Sequence, residues 1–281
     1  MIATLNCLLI LKNSPVFDFA RLQKSLRKWT CLITPFLLFF PMSPAWSQPP
    51  TASYYAQIEE RFNVARKQFN AAAKDSEAAL NFGRASFDWA EVAADNGMRE
   101  KIAIEGIVAC RRLISLEPKA AAGHYYLAMN LGQLARTKTL GALRLVDEME
   151  TEFQMARVYD EKFDYAGPDR NLGLLYSEAP GWPTSVGNRT KARHHMQRAV
   201  LLCPNYPDNS LNLIEAYLRW SDKSGAQREF ESFKEFWPIA KKEFAGEQWK
   251  MSWVDWEKRW GKIQSRFAEF EKTRELPRQK K

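Results

Sequence analysis

Three histidines, the two of four cysteines that lie beyond the leader, and a recurring asparagine are the side chains here whose chemistry is worth testing first. His194 and His195 are adjacent, so on a helix they point to different faces, which is poor geometry for one metal ion. His124 opens a helix with no carboxylate or thiolate beside it in sequence. All three read as core or surface histidines. Cys110 and Cys203 read as small buried apolar groups rather than a disulfide. No glycine-rich phosphate loop, nucleophile elbow or paired metal-ligand spacing is present. The expectation is therefore a non-enzyme with no catalytic residue, no metal and no cofactor. A recurring position is more suggestive. Asn81, Tyr126, Asn171 and Asn212 each stand one residue before Phe82, Leu127, Leu172 and Leu213. Amides at equivalent places suit hydrogen bonding to an extended peptide, or plain solvation of a groove; a groove role is the reading adopted. A second candidate is the loop "SEAPGWPTSVGNRTKA". Either Ser185, Asn188 and Thr190 there receive an anion at a helix N-terminus, or the stretch is an ordered loop. The second reading is preferred, with Trp182 pinned to the hairpin and Asn188 or Thr190 as helix cap.

These residues need scaffolding, and the scaffold is periodic. Ala192, Met196, Ala199 and Pro204 fall at offsets 0, 4, 7 and 12 along one helix, and Ala226, Phe230, Phe233 and Pro238 repeat those offsets. Leu172, Gly173 and Tyr176 lead the first series; Leu213 and Tyr217 lead the second. Phe82-Gly83 and Leu127-Ala128 occupy the same role upstream, at steps of 45, 45 and 41 residues. Small residues such as Gly173 and Ala192 suit close helix crossing, and proline suits the end of a second helix. Phe163 stands where repeat two lacks that proline. Before the repeats, Tyr55, Ile58, Phe62, Ala65 and Phe69 share one helical face.

This is the pattern of the tetratricopeptide repeat, a helix–turn–helix of about 34 residues. The chain resembles an extended-helix branch of that family. "REKIAIEGIVACRRLISLEPKAAAGHYYLAMNLGQLAR" and "APGWPTSVGNRTKARHHMQRAVLLCPNYPDN" are similar to bacterial TRAP-transporter T-component proteins and to the repeat domain of the regulator-of-microtubule-dynamics family. The resemblance implies an all-α superhelix that binds something, including the periplasmic partners of a solute transporter. Arg170 precedes Asn171 where the family's peptide-carboxylate clamp carries a basic residue. Leu174 and Met129 stand where that clamp needs asparagine.

The leader bounds location. "RLQKSLRKW" is a basic stretch, "CLITPFLLFFPM" an apolar run of about a dozen residues, and "SPAWS" places Ala45 and Ser47 before a cut at Gln48. Residues 1–47 read as a secretory signal, with a misassigned start near Leu22 and an uncleaved N-terminal anchor as the alternative. The formal charge is +8, yet the first 47 residues hold five basic and one acidic residue, so the remainder carries +4. That argues against a nucleic-acid partner.

At the other end, Trp249, Trp253, Trp256, Trp260, Ile263, Phe267 and Phe270 follow one another at spacings of four and three. A solenoid leaves its last apolar face open, so this ridge is expected to cap repeat four, with Lys250, Asp255, Glu257, Lys258 and Arg259 facing water. The sequence thus predicts an all-α, right-handed α-solenoid of about four TPR-like hairpins. Residues 48–74 form an N-terminal helix, 75–240 the repeats, 241–272 the Trp-rich cap and 273–281 a basic tail. The expected function is a non-enzymatic scaffold, periplasmic or secreted, binding a protein or peptide on its concave face. The alternative is a periplasmic transporter accessory holding or passing a small organic solute.

Overall fold

The computed structural model describes residues 52–138 and 141–275. The leader at 1–47 and the tail beyond residue 275 lie outside the described residues. The protein is an all-α solenoid: α1 (Ala52–Ala71), α2 (Ser76–Glu91), α3 (Asn96–Leu116), α4 (Ala121–Arg136), α5 (Ala142–Tyr159), α6 (Phe163–Glu178), α7 (Arg189–Leu202), α8 (Pro207–Arg219), α9 (Lys223–Glu243) and α10 (Lys250–Glu275). Four hairpins, α2/α3, α4/α5, α6/α7 and α8/α9, stack so that consecutive helices pack and first helices touch their counterparts in the next hairpin. Among the described residues, no helix is long and apolar enough to cross a membrane.

Local signals account for the helix starts. Asp75, Asp95, Asn188 and Asp222 each accept a hydrogen bond from the backbone N–H three residues on, at 2.8–3.0 Å. Each satisfies a donor that the helix geometry leaves unpaired. Asn188 is therefore the cap that the loop sequence suggests. Close crossing explains the glycines. A Cβ on Gly83 would lie 2.5 Å from Cys110 Sγ, and one on Gly173 would lie 2.5 Å from Met196 Cγ. Cys110 and Cys203 are free thiols.

Three of the four hairpins share a polar staple that the sequence reading missed. Three residues before the Phe82, Leu127, Leu172 and Leu213 series stand Ala79, His124, Asp169 and Ser210. On the second helices, the facing residues are Ala109, Glu152, His195 and Glu229. His124 Nδ1 lies 2.6 Å from Glu152 Oε2, His195 Nδ1 donates to Asp169 Oδ1 at 2.6 Å, and Ser210 Oγ donates to Glu229 at 2.7 Å. Repeat one fills both places with fully buried alanines. The site tolerates a hydrogen-bonded pair of either polarity or no polar atom at all, as burial energetics require. His124 thus does face a carboxylate, one brought from 28 residues away.

Both ends are sealed. Phe62, Ala65 and Phe69 of α1 join Ala79, Phe82, Ala109 and Leu113 in one cluster. Tyr55 departs from that face and is 39% exposed. At the far end, Trp260 meets Phe230, Phe233 and Trp237, and Phe267 stacks on Phe230 at 4.2 Å. Trp256 lies fully buried against Tyr206 and Phe244. At roughly 25 cal/mol per Å² this ridge contributes several kcal/mol. Two expectations fail here. Arg259 is not on the wet side but only 7% exposed, because α10 crosses α8 where Asp208, Asn212 and Glu215 line up to receive it. Pro238 does not end α9, which runs on to Glu243. Packing of Trp237, Ala240 and Phe244 holds that extra turn together despite the lost backbone donor.

Candidate functional site

The first-helix face is organised by a backbone irregularity. Where repeat two lacks its proline, Asp164, Tyr165 and Ala166 adopt left-handed φ values of 49°, 56° and 61° before the regular turns of α6 resume. Such a conformation costs roughly 1–2 kcal/mol per residue, so the surroundings must enforce it. Arg170 does much of this. Its guanidinium donates to the carbonyls of Tyr165 (3.0 Å) and Asp164 (3.1 Å), to Asp164 Oδ2 (2.7 Å) and to Asn209 Oδ1 (3.2 Å). The Tyr125 hydroxyl donates to the same Asp164 oxygen at 2.7 Å. Tyr165 stacks on Tyr206 with centroids 4.5 Å apart, and Phe244 and Trp249 meet its ring edge-on. Gly167 is required beside it, since a Cβ there would press on the Tyr125 ring at 2.9 Å.

Burial pushes the Asp164 carboxyl up, while Arg170 and the Tyr125 hydrogen bond pull it back. Burial also opposes the Arg170 charge, but Tyr125, Asp164, Tyr206 and Asp208 more than offset it and its pKa is raised. Arg170 is thus an internal strut. Asn171 beside it donates to the Tyr125 hydroxyl and to the Gly167 carbonyl, both at 3.0 Å. Asn212 accepts from Arg259 at 2.6 Å. Of the recurring set, Asn171 and Asn212 bond within the chain, Tyr126 is buried and Asn81 is exposed.

The residues that leave bonding capacity on this face sit one and two turns beyond Asn81. Arg84 and Asp88 share a side of α2, and Arg84 makes no hydrogen bond or ion pair with another described residue. Asp88 Oδ1 is buried without a hydrogen-bond partner. Burial pushes the Asp88 carboxyl up to about 7, against the pull of Arg84 and then Arg61, with Asp164 adding repulsion. Tyr126 is raised first by burial and then by Asp164, with Arg84 opposing and Asp88 reinforcing. Arg84, Asp88, Tyr126 and Asp164 therefore form one electrostatic neighbourhood spanning three first helices. An i, i+4 pair of opposite charge was the only sequence signal for Arg84 and Asp88, and such pairs are common on wet helix faces.

The repeat-three loop is tight. Gly187 N–H donates to Pro180 O at 2.8 Å and Asn188 N–H to Tyr176 O at 2.9 Å. Trp182 is not pinned to the hairpin as expected; it projects with 88% exposure, because the ring closed by Pro180 and Gly187 turns its tip outward. Ser185 Oγ is buried without a partner. Among the described residues, no group of three or more potential metal ligands comes together.

Comparison with protein-family models and with curated proteins finds no match. The site must be read from its own chemistry. The first-helix face offers a cation, a carboxyl that burial raises to about 7 and buried phenols, a set suited to holding a ligand's donors and acceptors.

Proposed function

We propose that this chain is a tetratricopeptide-type scaffold of the extended-helix branch, non-catalytic and exported, that binds an extended segment of a partner protein along its first-helix face. The observation that carries this reading is the Arg84–Asp88 pair. Among the described residues, a guanidinium and a carboxyl oxygen that both lack a hydrogen-bond partner lie a helical turn apart, which matches a peptide backbone offering a carbonyl and an N–H in succession. Asn81 extends the line. Export rests on the leader read in residues 1–47.

Crosslinking with mass spectrometry in the native host, comparing the natural chain with R84A and D88N, tests the reading. Crosslinked partner peptides should map to residues 81–88 and disappear in R84A. Unchanged crosslinks in both variants would dispose of it. A second reading, a transporter accessory holding a small organic acid, is favoured by the same guanidinium, which has no partner among the described residues. Thermal-shift screening against organic acids separates the two: stabilisation that R84A abolishes supports the solute, and none supports the peptide.

A further inference from the structure

Between α7 and α9 runs an open cleft of about 390 Å³, floored by Leu213 and Tyr217 of α8. That size falls in the range of small-molecule sites, roughly 300–1,000 Å³. Val200 and Leu201 form one wall, and Leu201 is 78% exposed at the mouth. The floor is stiff. Gln197 donates to the Tyr217 hydroxyl at 2.8 Å, and the Arg193 guanidinium lies 5.2 Å from its ring centre while paired with Asp222 at 2.9 Å. Gly225 lets the opposite wall approach, since a Cβ there would meet the Tyr217 ring at 3.0 Å.

Two charged residues line this cleft, Arg228 and Glu229, and they differ in what holds them. Glu229 turns to the Ser210 hydroxyl, and burial pushes its carboxyl up. Arg193 is neutralised by Asp222. Arg228 is exposed and makes no hydrogen bond or ion pair with another described residue. An apolar trough with one uncommitted guanidinium at its edge complements an anion with an apolar body. A phosphate would want more donors than one arginine supplies. An amphipathic helix would want a longer groove, to seat side chains at i, i+4 and i+7.

We propose that the α7–α9 cleft binds a medium-chain fatty acid, its acyl chain along Leu201 and Leu213 and its carboxylate on Arg228. The site is separate from the first-helix groove and does not rest on its function. Sodium decanoate, kept below its micellar concentration, is titrated into the full chain and followed by calorimetry and by methyl shifts of Val200, Leu201 and Leu213. Decanol and decyltrimethylammonium serve as neutral and cationic probes. Decanoate should bind saturably and tighter than either probe. R228E should weaken it tenfold or more and favour decyltrimethylammonium instead, while L201S should weaken it several-fold. Should R228E fold poorly, R228Q takes its place with a loss of about fivefold expected. D88N should leave decanoate binding unchanged, which keeps this outcome distinct from the groove. Absence of saturation below millimolar concentration, equal affinity in R228E or R228Q, or methyl shifts scattered away from the cleft would overturn the proposal.

Discussion

The polar staple makes a quantitative prediction through Asp169 and His195. Asp169 is fully buried, receives His195 Nδ1 at 2.6 Å and Arg198 Nε at 3.1 Å, and has Arg157 at 3.4 Å. Asp169→Ala leaves the buried His195 without its carboxylate, and Arg157 and Arg198 lose one acceptor. Breaking such a buried pair from one side costs about 3–5 kcal/mol, and we take about 3 because both arginines reach solvent. His195→Ala alone removes the imidazole and leaves Asp169 its two arginines, so about 2 kcal/mol is expected from the lost packing and hydrogen bond. The double variant recreates the composition of repeat one, where fully buried Ala79 and Ala109 hold the equivalent positions. With no imidazole stranded and only the two partly exposed arginines short of an acceptor, its cost should be about 3 kcal/mol rather than the sum of about 5, a coupling of about 2 kcal/mol. Urea unfolding followed by circular dichroism reads this as shifts in midpoint at constant slope. Strict additivity of the two substitutions would refute the idea that the staple is one exchangeable unit. The pair His124→Ala and Glu152→Ala provides the same test in repeat two.

Other consequences follow from single groups. The Asp88 carboxyl is raised in the folded protein from 3.8 to about 7. Its contribution to stability is therefore fully present below about pH 4 and is lost as pH rises toward 7. Asp88→Asn should raise stability by about 2–3 kcal/mol at pH 8, with little effect at pH 4; denaturant midpoints at the two pH values check the sign. Arg259→Ala strands Asp208 beneath the cap and should cost about 3 kcal/mol, and Arg259→Lys should recover little, since one ammonium cannot reach Asp208, Asn212 and Glu215 together. Thermal melts of the two variants decide it. Ser221 is exposed with φ at 58°, so Ser221→Gly should stabilise by about 0.5–1 kcal/mol, and an unchanged or lower melting temperature would contradict the strain argument.

Much of the architecture was legible because helical hairpins announce themselves through short periods. Offsets of 0, 4 and 7 along the second helices and the four-three ridge from Trp249 to Phe270 placed the hairpins and the cap. Arg170 and Asn171 were legible as special, but not their task. Their partners, Asp164, Tyr125 and Asn209, are set around them by a left-handed turn, which no local preference of Asp, Tyr or Ala foretells. Arg84 and Asp88 looked like any exposed i, i+4 pair until the neighbouring helices closed around them.

By itself, the order of residues determined which segments are helices, which face of each is apolar and where small residues let helices cross. Those properties depend on neighbours within two helical turns. Tertiary structure alone decided that Arg259 goes inside, that α9 continues past Pro238, that Trp182 stands in solvent and that Asn212 bonds to the cap. In each case the deciding atoms come from another helix or from loop closure, and burial turns their hydrogen-bonding demands into the terms that win over local propensity.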